Sequence, residues 1–107
     1  MGRGEVWWHE PPDEKPRPVL VLTRDDVIAR TLDVVAMPAS RTAHDWLTEV
    51  EVGPDDGMPT TSYLVAENTL SAEKAYLTQR ITELGAAKMD VVCRALATAT
   101  SCDLIHS

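Results

Sequence analysis

Pro18–Arg24 reads PVLVLTR, and this stretch decides the fold. Val19 to Leu22 form an unbroken apolar run with two β-branched members. It is too short for a helix and does not alternate, so it predicts a strand buried on both faces. Upstream, His9–Pro16 (HEPPDEKP) holds three prolines and four charges. Proline has no N–H to donate, so this segment is a loop. Gly4–His9 (GEVWWH) is rich in β-formers and reads as a first strand.

Downstream, Asp25–Thr31 is either a helical turn or an exposed excursion. Leu32–Pro38 (LDVVAMP) reads as a third strand, and Ala39–Trp46 as a polar loop. Leu47–Val52 (LTEVEV) alternates apolar and polar residues, as a half-exposed strand does. Gly53–Pro59 (GPDDGMP) is dense in turn residues. Ser62–Glu67 reads as another strand, and Gln79–Thr82 as the core of a last one. The period then changes: Met89, Val92, Cys93 and Leu96 lie on one helical face, which predicts a helix over Ala86–Thr98. Ser101–Ser107 reads as a frayed tail. Five or six clustered strands followed by one helix predict a small, mostly antiparallel sheet or half-open barrel capped by that helix.

The chain has 107 residues, which suits a single domain spanning 1–107. Its net charge of −7 argues against tight, indiscriminate nucleic-acid binding, which depends on Lys and Arg. The charge is uneven. Residues 1–46 carry six basic and eight acidic side chains, residues 47–107 four and nine. A phosphate-facing site would therefore be local and built from the first half. No apolar run reaches the ~18 residues of a membrane-spanning helix, and the first residues lack a signal-peptide core. The expected location is the cytoplasm. Cys93 and Cys102 belong to no CxxC pair and are expected to be reduced.

His9, His44 and His106 show no metal-binding spacing. Asp25-Asp26 and Asp55-Asp56 read as solvated turns, and no phosphate-binding glycine loop or GxSxG elbow occurs. No metal and no cofactor is expected. What remains is basic and hydroxyl residues beside loops. Arg17 stands between Pro16 and Pro18, where the backbone is restricted. Ser40-Arg41-Thr42 follows the third strand. On spacing alone, the first reads as an exposed arginine and the second as turn chemistry.

The order of motifs resembles the MazF/PemK family of toxin ribonucleases from bacterial toxin–antitoxin pairs. Arg3-Gly4-Glu5-Val6-Trp7-Trp8 resembles that family's RGEIWW start, and Arg17-Pro18-Val19-Leu20-Val21-Leu22 its RPVLVL strand. Val35-Ala36-Met37-Pro38-Ala39-Ser40 is similar to its VAP-x-T strand end, and Thr48-Glu49-Val50 to its PTEV strand. Asp56-Gly57-Met58-Pro59 resembles its DGLP turn, and the segment from Met89 to Leu96 its closing helix. Ser40 stands where threonine is commoner, and Leu47 where the family has proline. The resemblance implies an SH3-like half-open barrel of the MazF/CcdB/Kid type. It implies metal-independent, sequence-selective cleavage of single-stranded RNA, with Arg17 and Ser40 as the catalytic pair. A homodimer and a MazE-like antitoxin partner are implied as well, and no membrane. The alternative is a non-enzymatic toxin of the same fold, like the CcdB proteins that bind DNA gyrase. Arg17 and Ser40 favour the enzyme, because a gyrase binder needs neither.

Cleaving RNA through its own 2′-OH requires a base, an acid and cationic stabilisation of the phosphorane. An arginine fork matches the non-bridging oxygens in the last role. Reading the RNA sequence calls for planes on which bases stack. Lys15, Arg41, Thr42, His44 and Trp46 lie in the two adjoining loops and are the expected RNA-binding residues. A tryptophan in such a polar stretch is a base platform, a core plug that folds back, or a dimer contact.

Overall fold

In the computed structural model, which describes residues 1–102, the PVLV run is an interior strand. β2 (Arg17–Val21) pairs antiparallel with β1 (Glu5–His9) on one side and β3 (Asp33–Ser40) on the other. Successive residues of β2 point to opposite faces. Leu20 joins Val6, Met37, Val52 and Leu64 in one core. Val19 and Val21 join Ile28, Val34, Ala36 and Ala72 in a second. All three β2 residues have 0% exposure, so the strand is buried on both faces because two apolar layers share it.

The sheet continues with β4 (Glu49–Val52), β5 (Ser62–Val65), β6 (Leu70–Glu73) and β7 (Leu77–Glu83). Its order is β4-β5-β3-β2-β1-β7, with β6 pairing β3, and every pairing is antiparallel. The terminal strands β4 and β7 do not pair with each other among the described residues, which leaves the barrel open. β3 changes partner along its length. Asp33–Ala36 pairs with β6, and Ala39 and Ser40 pair with Leu64 and Tyr63 of β5. Pro38 sits at the changeover, where a missing N–H is tolerated.

This exchange corrects two expectations. Ala39 and Ser40 belong to the strand rather than the loop, because β5 supplies partners for them. β6 was not expected: LSAE is four residues with a single large apolar side chain, and its strand character comes from pairing. Leu47 and Thr48 precede β4 rather than opening it, and Ala66–Asn68 forms a 3-10 turn. Asp25–Ile28 is a one-turn helix, α1, that buries Ile28.

The closing helix α2 (Ala86–Thr100) lies against β4 and the Ala66–Asn68 turn. Val92 and Ala95 are buried, and Met89, Leu96 and Ala99 pack beside them. Cys93, expected in this stripe, is exposed and free, as is Cys102. Ala95 and Ala99 take the inner face instead, where small side chains let the helix approach the sheet. The helix ends at Ser101 in left-handed backbone (φ 55°), with the Cys102 N–H bonded to the Ala97 carbonyl at 2.9 Å. The expected tail lies, from Asp103 on, outside the described residues, as does His106.

The Gly53–Pro59 turn is set by Asp56, whose carboxylate accepts the Gly53 N–H at 2.9 Å. Gly57 follows at φ 87°, left-handed backbone that favours glycine. A Cβ there would overlap the Thr82 hydroxyl, which donates to the Asp56 carbonyl at 2.9 Å. Gly57→Ala is therefore expected to cost about 2 kcal/mol of stability, from backbone strain and steric overlap together. Urea denaturation checks this; a loss under about 0.5 kcal/mol would show that the turn relaxes freely.

Candidate active site

The β2–β3 ladder pairs Val19 with Pro38. Two residues further out on each strand stand Arg17 and Ser40, so both expected catalytic residues occupy strand ends. Arg17 opens β2 opposite His9 and is exposed. Pro16 and Pro18 fix its φ neighbours, so the guanidinium projects from a stiff segment.

Beside it opens a cleft of about 160 Å³. Trp8, Pro18, Ala39 and Met58 give it apolar walls, Pro59, Thr60 and Ser62 close one side, and Arg17 and Arg41 both line it. The Asp56 turn delivers Met58, which is 4% exposed, to this wall. Neither Arg17 nor Arg41 forms an ion pair among the described residues. Two uncompensated guanidiniums over an apolar floor favour an anionic ligand with a flat apolar part.

Ser40 lies in the chain between the cleft residues Ala39 and Arg41 but does not itself line the cleft, so the structure does not bring it into one lining with Arg17. Its Oγ accepts the Thr42 N–H at 3.1 Å and donates to the Thr42 carbonyl at 3.3 Å. The longer contact is the one a phosphate oxygen could replace. Thr42 is exposed and closes this small turn. Lys15 is exposed in the β1–β2 loop and does not line the cleft. His44 and Trp46 lie farther along the β3–β4 loop. They stack on each other with ring centroids 4.6 Å apart. Trp46 is 48% exposed, which excludes the core-plug reading.

His9 is buried at the end of β1. Burial holds its imidazole below the usual pKa of 6.5; Glu14 opposes this and Arg17 reinforces it. The unfolded chain then binds the proton more readily than the folded one. Stability should fall as pH drops below about 6.5, toward the lower folded pKa. His9→Asn should flatten denaturation midpoints between about pH 7 and pH 5. An equal slope in both proteins would remove His9 as the cause.

The site contains residues that sequence reasoning did not select. Trp8 had a usable signal: adjacent strand residues face opposite ways, so Trp7 and Trp8 cannot share a core. Met58 was legible as part of a turn motif but not as a cleft wall, and Thr60 had no signal, because a turn distant in sequence brings both in. Among the described residues, no group of three or more His, Cys, Asp or Glu could hold a metal ion, and no helix is long and apolar enough to cross a membrane.

The molecule is thus an open antiparallel sheet with a helical cap and a cleft lined by two arginines at its strand ends. The chain belongs to the PemK/MazF toxin family: the family described as "PemK-like, MazF-like toxin of type II toxin-antitoxin system" matches residues 2–100. It is 35% identical over 101 residues to the "Probable endoribonuclease MazF5" of Mycobacterium tuberculosis, covering 94% of this chain and 93% of that one. It is 33% identical over 103 residues to the "Probable endoribonuclease MazF2" of the same organism, covering 95% and 100%. Among solved structures, "Mycobacterium tuberculosis toxin MazF-mt6" superposes with a TM-score of 0.84 at 27% identity, covering 92% of this chain and 98% of that chain. "Endoribonuclease in complex with its cognate antitoxin from Mycobacterial species" superposes at 0.86 and 30% identity, covering 96% and 97%.

Proposed function

We propose that this chain is the toxin of a type II toxin–antitoxin pair and an endoribonuclease that cuts single-stranded RNA. The observation that carries this is the cleft: two arginines, Arg17 and Arg41, without ion-pair partners among the described residues, flank an apolar slot of Trp8, Pro18, Ala39 and Met58. The kinship with proteins named as endoribonucleases agrees with it.

The substrate's 2′-OH attacks the adjacent phosphorus while a base takes its proton. The P–O5′ bond breaks, and the departing oxygen takes up a proton. The products are a 2′,3′-cyclic phosphate and a 5′-hydroxyl end. Arg17 holds the non-bridging oxygens as negative charge develops, and Arg41 binds the phosphate backbone beside it. Ser40 exchanges its bond to the Thr42 carbonyl for one to a phosphate oxygen. Lys15, Thr42, His44 and Trp46 contact flanking nucleotides. The guanidiniums supply the positive charge, so the reaction runs without a metal ion.

The toxin works in the cytoplasm as a homodimer, and its antitoxin covers the RNA groove. Leu47 at 91% exposure and Val91 at 46% border one groove along α2, an apolar surface suited to a second copy. The gyrase-binding alternative has no observation in its favour.

The test is incubation of the pure protein with a long RNA, with and without a chelator, and mapping of the 5′ ends. Discrete cuts bearing 5′-hydroxyl groups, unaffected by chelator, are expected. Absence of cutting, or cutting only with added metal, would overturn the reading.

A further inference from the structure

We propose that Glu49 is a positioning residue whose carboxylate holds His44 and Trp46 as a preformed platform for one unstacked RNA base. The identity of the ligand rests on the endoribonuclease reading; the clamp rests on geometry alone.

Glu49 opens β4, yet its side chain is only 5% exposed. Both of its carboxylate oxygens have partners. Both turn back onto the preceding loop. Oε1 accepts the His44 amide N–H at 2.8 Å, and Oε2 lies 2.6 Å from His44 Nδ1. The Glu49 N–H donates to the Trp46 carbonyl at 3.1 Å, which ties the far end of the same segment. Between the two rings, Asp45 takes left-handed backbone at φ 56°, uncommon for a residue other than glycine. That bend brings residues two apart into a stack, with 23° between the ring planes.

These features form one device. A side chain used twice, a strained residue and a ring pair converge on holding Trp46 outside the core, where burial would have favoured it. His44 covers one face of the indole, and nearly half of Trp46 stays in solvent. Unpaired RNA bases are read by stacking on such planes, and any base can use them. The loop that carries the pair leaves β3 at Arg41, which itself lines the cleft. Trp46 stacks on His44 and borders an open pocket with Leu47, Thr48, Glu67 and Asn68, wide enough for a flat ring. Holding the pair in place before binding removes the ordering cost that a mobile loop would incur.

The test combines a mutant cycle with a spectroscopic signature. The RNA is an oligonucleotide containing a mapped cut site, made uncleavable by a 2′-deoxy nucleotide there. Glu49→Ala and Trp46→Ala should each weaken its binding about tenfold. The double variant should be no weaker than either single one. In cleavage, the loss should fall on KM more than on kcat. Glu49→Gln, which retains an acceptor for the His44 amide, should recover most of the affinity. In the RNA-free protein, the Trp46 indole N–H resonance, assigned by its loss in Trp46→Ala, should move in Glu49→Ala.

Additive losses, or an indole resonance that stays in place, would overturn the proposal. So would a Trp46→Ala variant that changes the sedimenting mass but not RNA affinity, since the platform would then be a protein contact. If Glu49→Ala fails to fold, Glu49→Gln carries the same cycle, with a smaller shared loss expected. If the wild type neither binds nor cuts RNA, the endoribonuclease reading falls and the base with it. The indole resonance still reports whether Glu49 holds the pair.

Discussion

Arg17→Ala should lower RNA cleavage about a hundredfold or more, equivalent to roughly 3 kcal/mol of transition-state stabilisation. The guanidinium is exposed at the mouth of β2, lines the cleft and has no ionic partner among the described residues. Its loss removes charge from the reacting phosphate without opening a core cavity. The melting temperature should therefore change little. Ser40→Ala should cost less, because a hydroxyl is a weaker partner for developing charge than a guanidinium. Single-turnover cleavage by folded variants checks both. Unchanged cleavage by Arg17→Ala would remove it from the mechanism, and a larger loss from Ser40→Ala would reverse the two roles.

Leu20→Ala should destabilise the fold by about 3 kcal/mol, the usual scale for a leucine cut back in a closed core. Leu20 is 0% exposed and packs in the cluster that joins β2 and β3 to Val92 of α2. The surrounding strands are paired on both edges and cannot collapse fully into the space left. A domain of this size has only about 5–15 kcal/mol in total, so the loss is a large fraction. Val35→Ala on β3, where the side chain is 48% exposed, should cost under about 0.5 kcal/mol. Denaturant titrations at one protein concentration would compare them, since association shifts apparent stability. Equal losses at the two positions would contradict the assignment of Leu20 to the core.

Acid should reduce stability again below the His9 window. Glu5 and Glu49 both have carboxyl pKa values below the usual 4.5. At each, desolvation pushes the value up but is outweighed. The Trp7 side chain, the Gly2 backbone and nearby positive charge do so at Glu5; the His44 amide and ring and the Trp46 amide do so at Glu49. The folded state then resists protonation more than the unfolded one. Their stabilisation is present above about pH 4.5 and is lost as pH falls below it.

The sequence by itself determined the features that depend on which way neighbouring side chains point. PVLV had to be an interior strand, because alternate residues of an unbroken apolar run need apolar material on both sides, although the strand stops at Val21 and leaves Leu22–Arg24 outside it. GPDDGMP had to turn, and the change of period near Ala86 had to begin a helix. Arg17 was legible as a residue fixed at a strand mouth, and the order of motifs pointed to the family.

The tertiary structure alone decided which segments met. Ser40 belongs to β3 because β5, distant in sequence, supplies Tyr63 as its partner. LSAE is a strand only because β3 offers it an edge. Cys93 left the inner face of α2 because the helix rotated to present Ala95 and Ala99 to the sheet. Trp46 is 48% exposed in the loop whose His44 amide N–H donates to the Glu49 carboxylate, and no hydropathy pattern records that bond. Periodicity reports the faces of one element, whereas pairing, helix rotation and side-chain hydrogen bonds are settled by free-energy differences between partners that only the folded chain brings together.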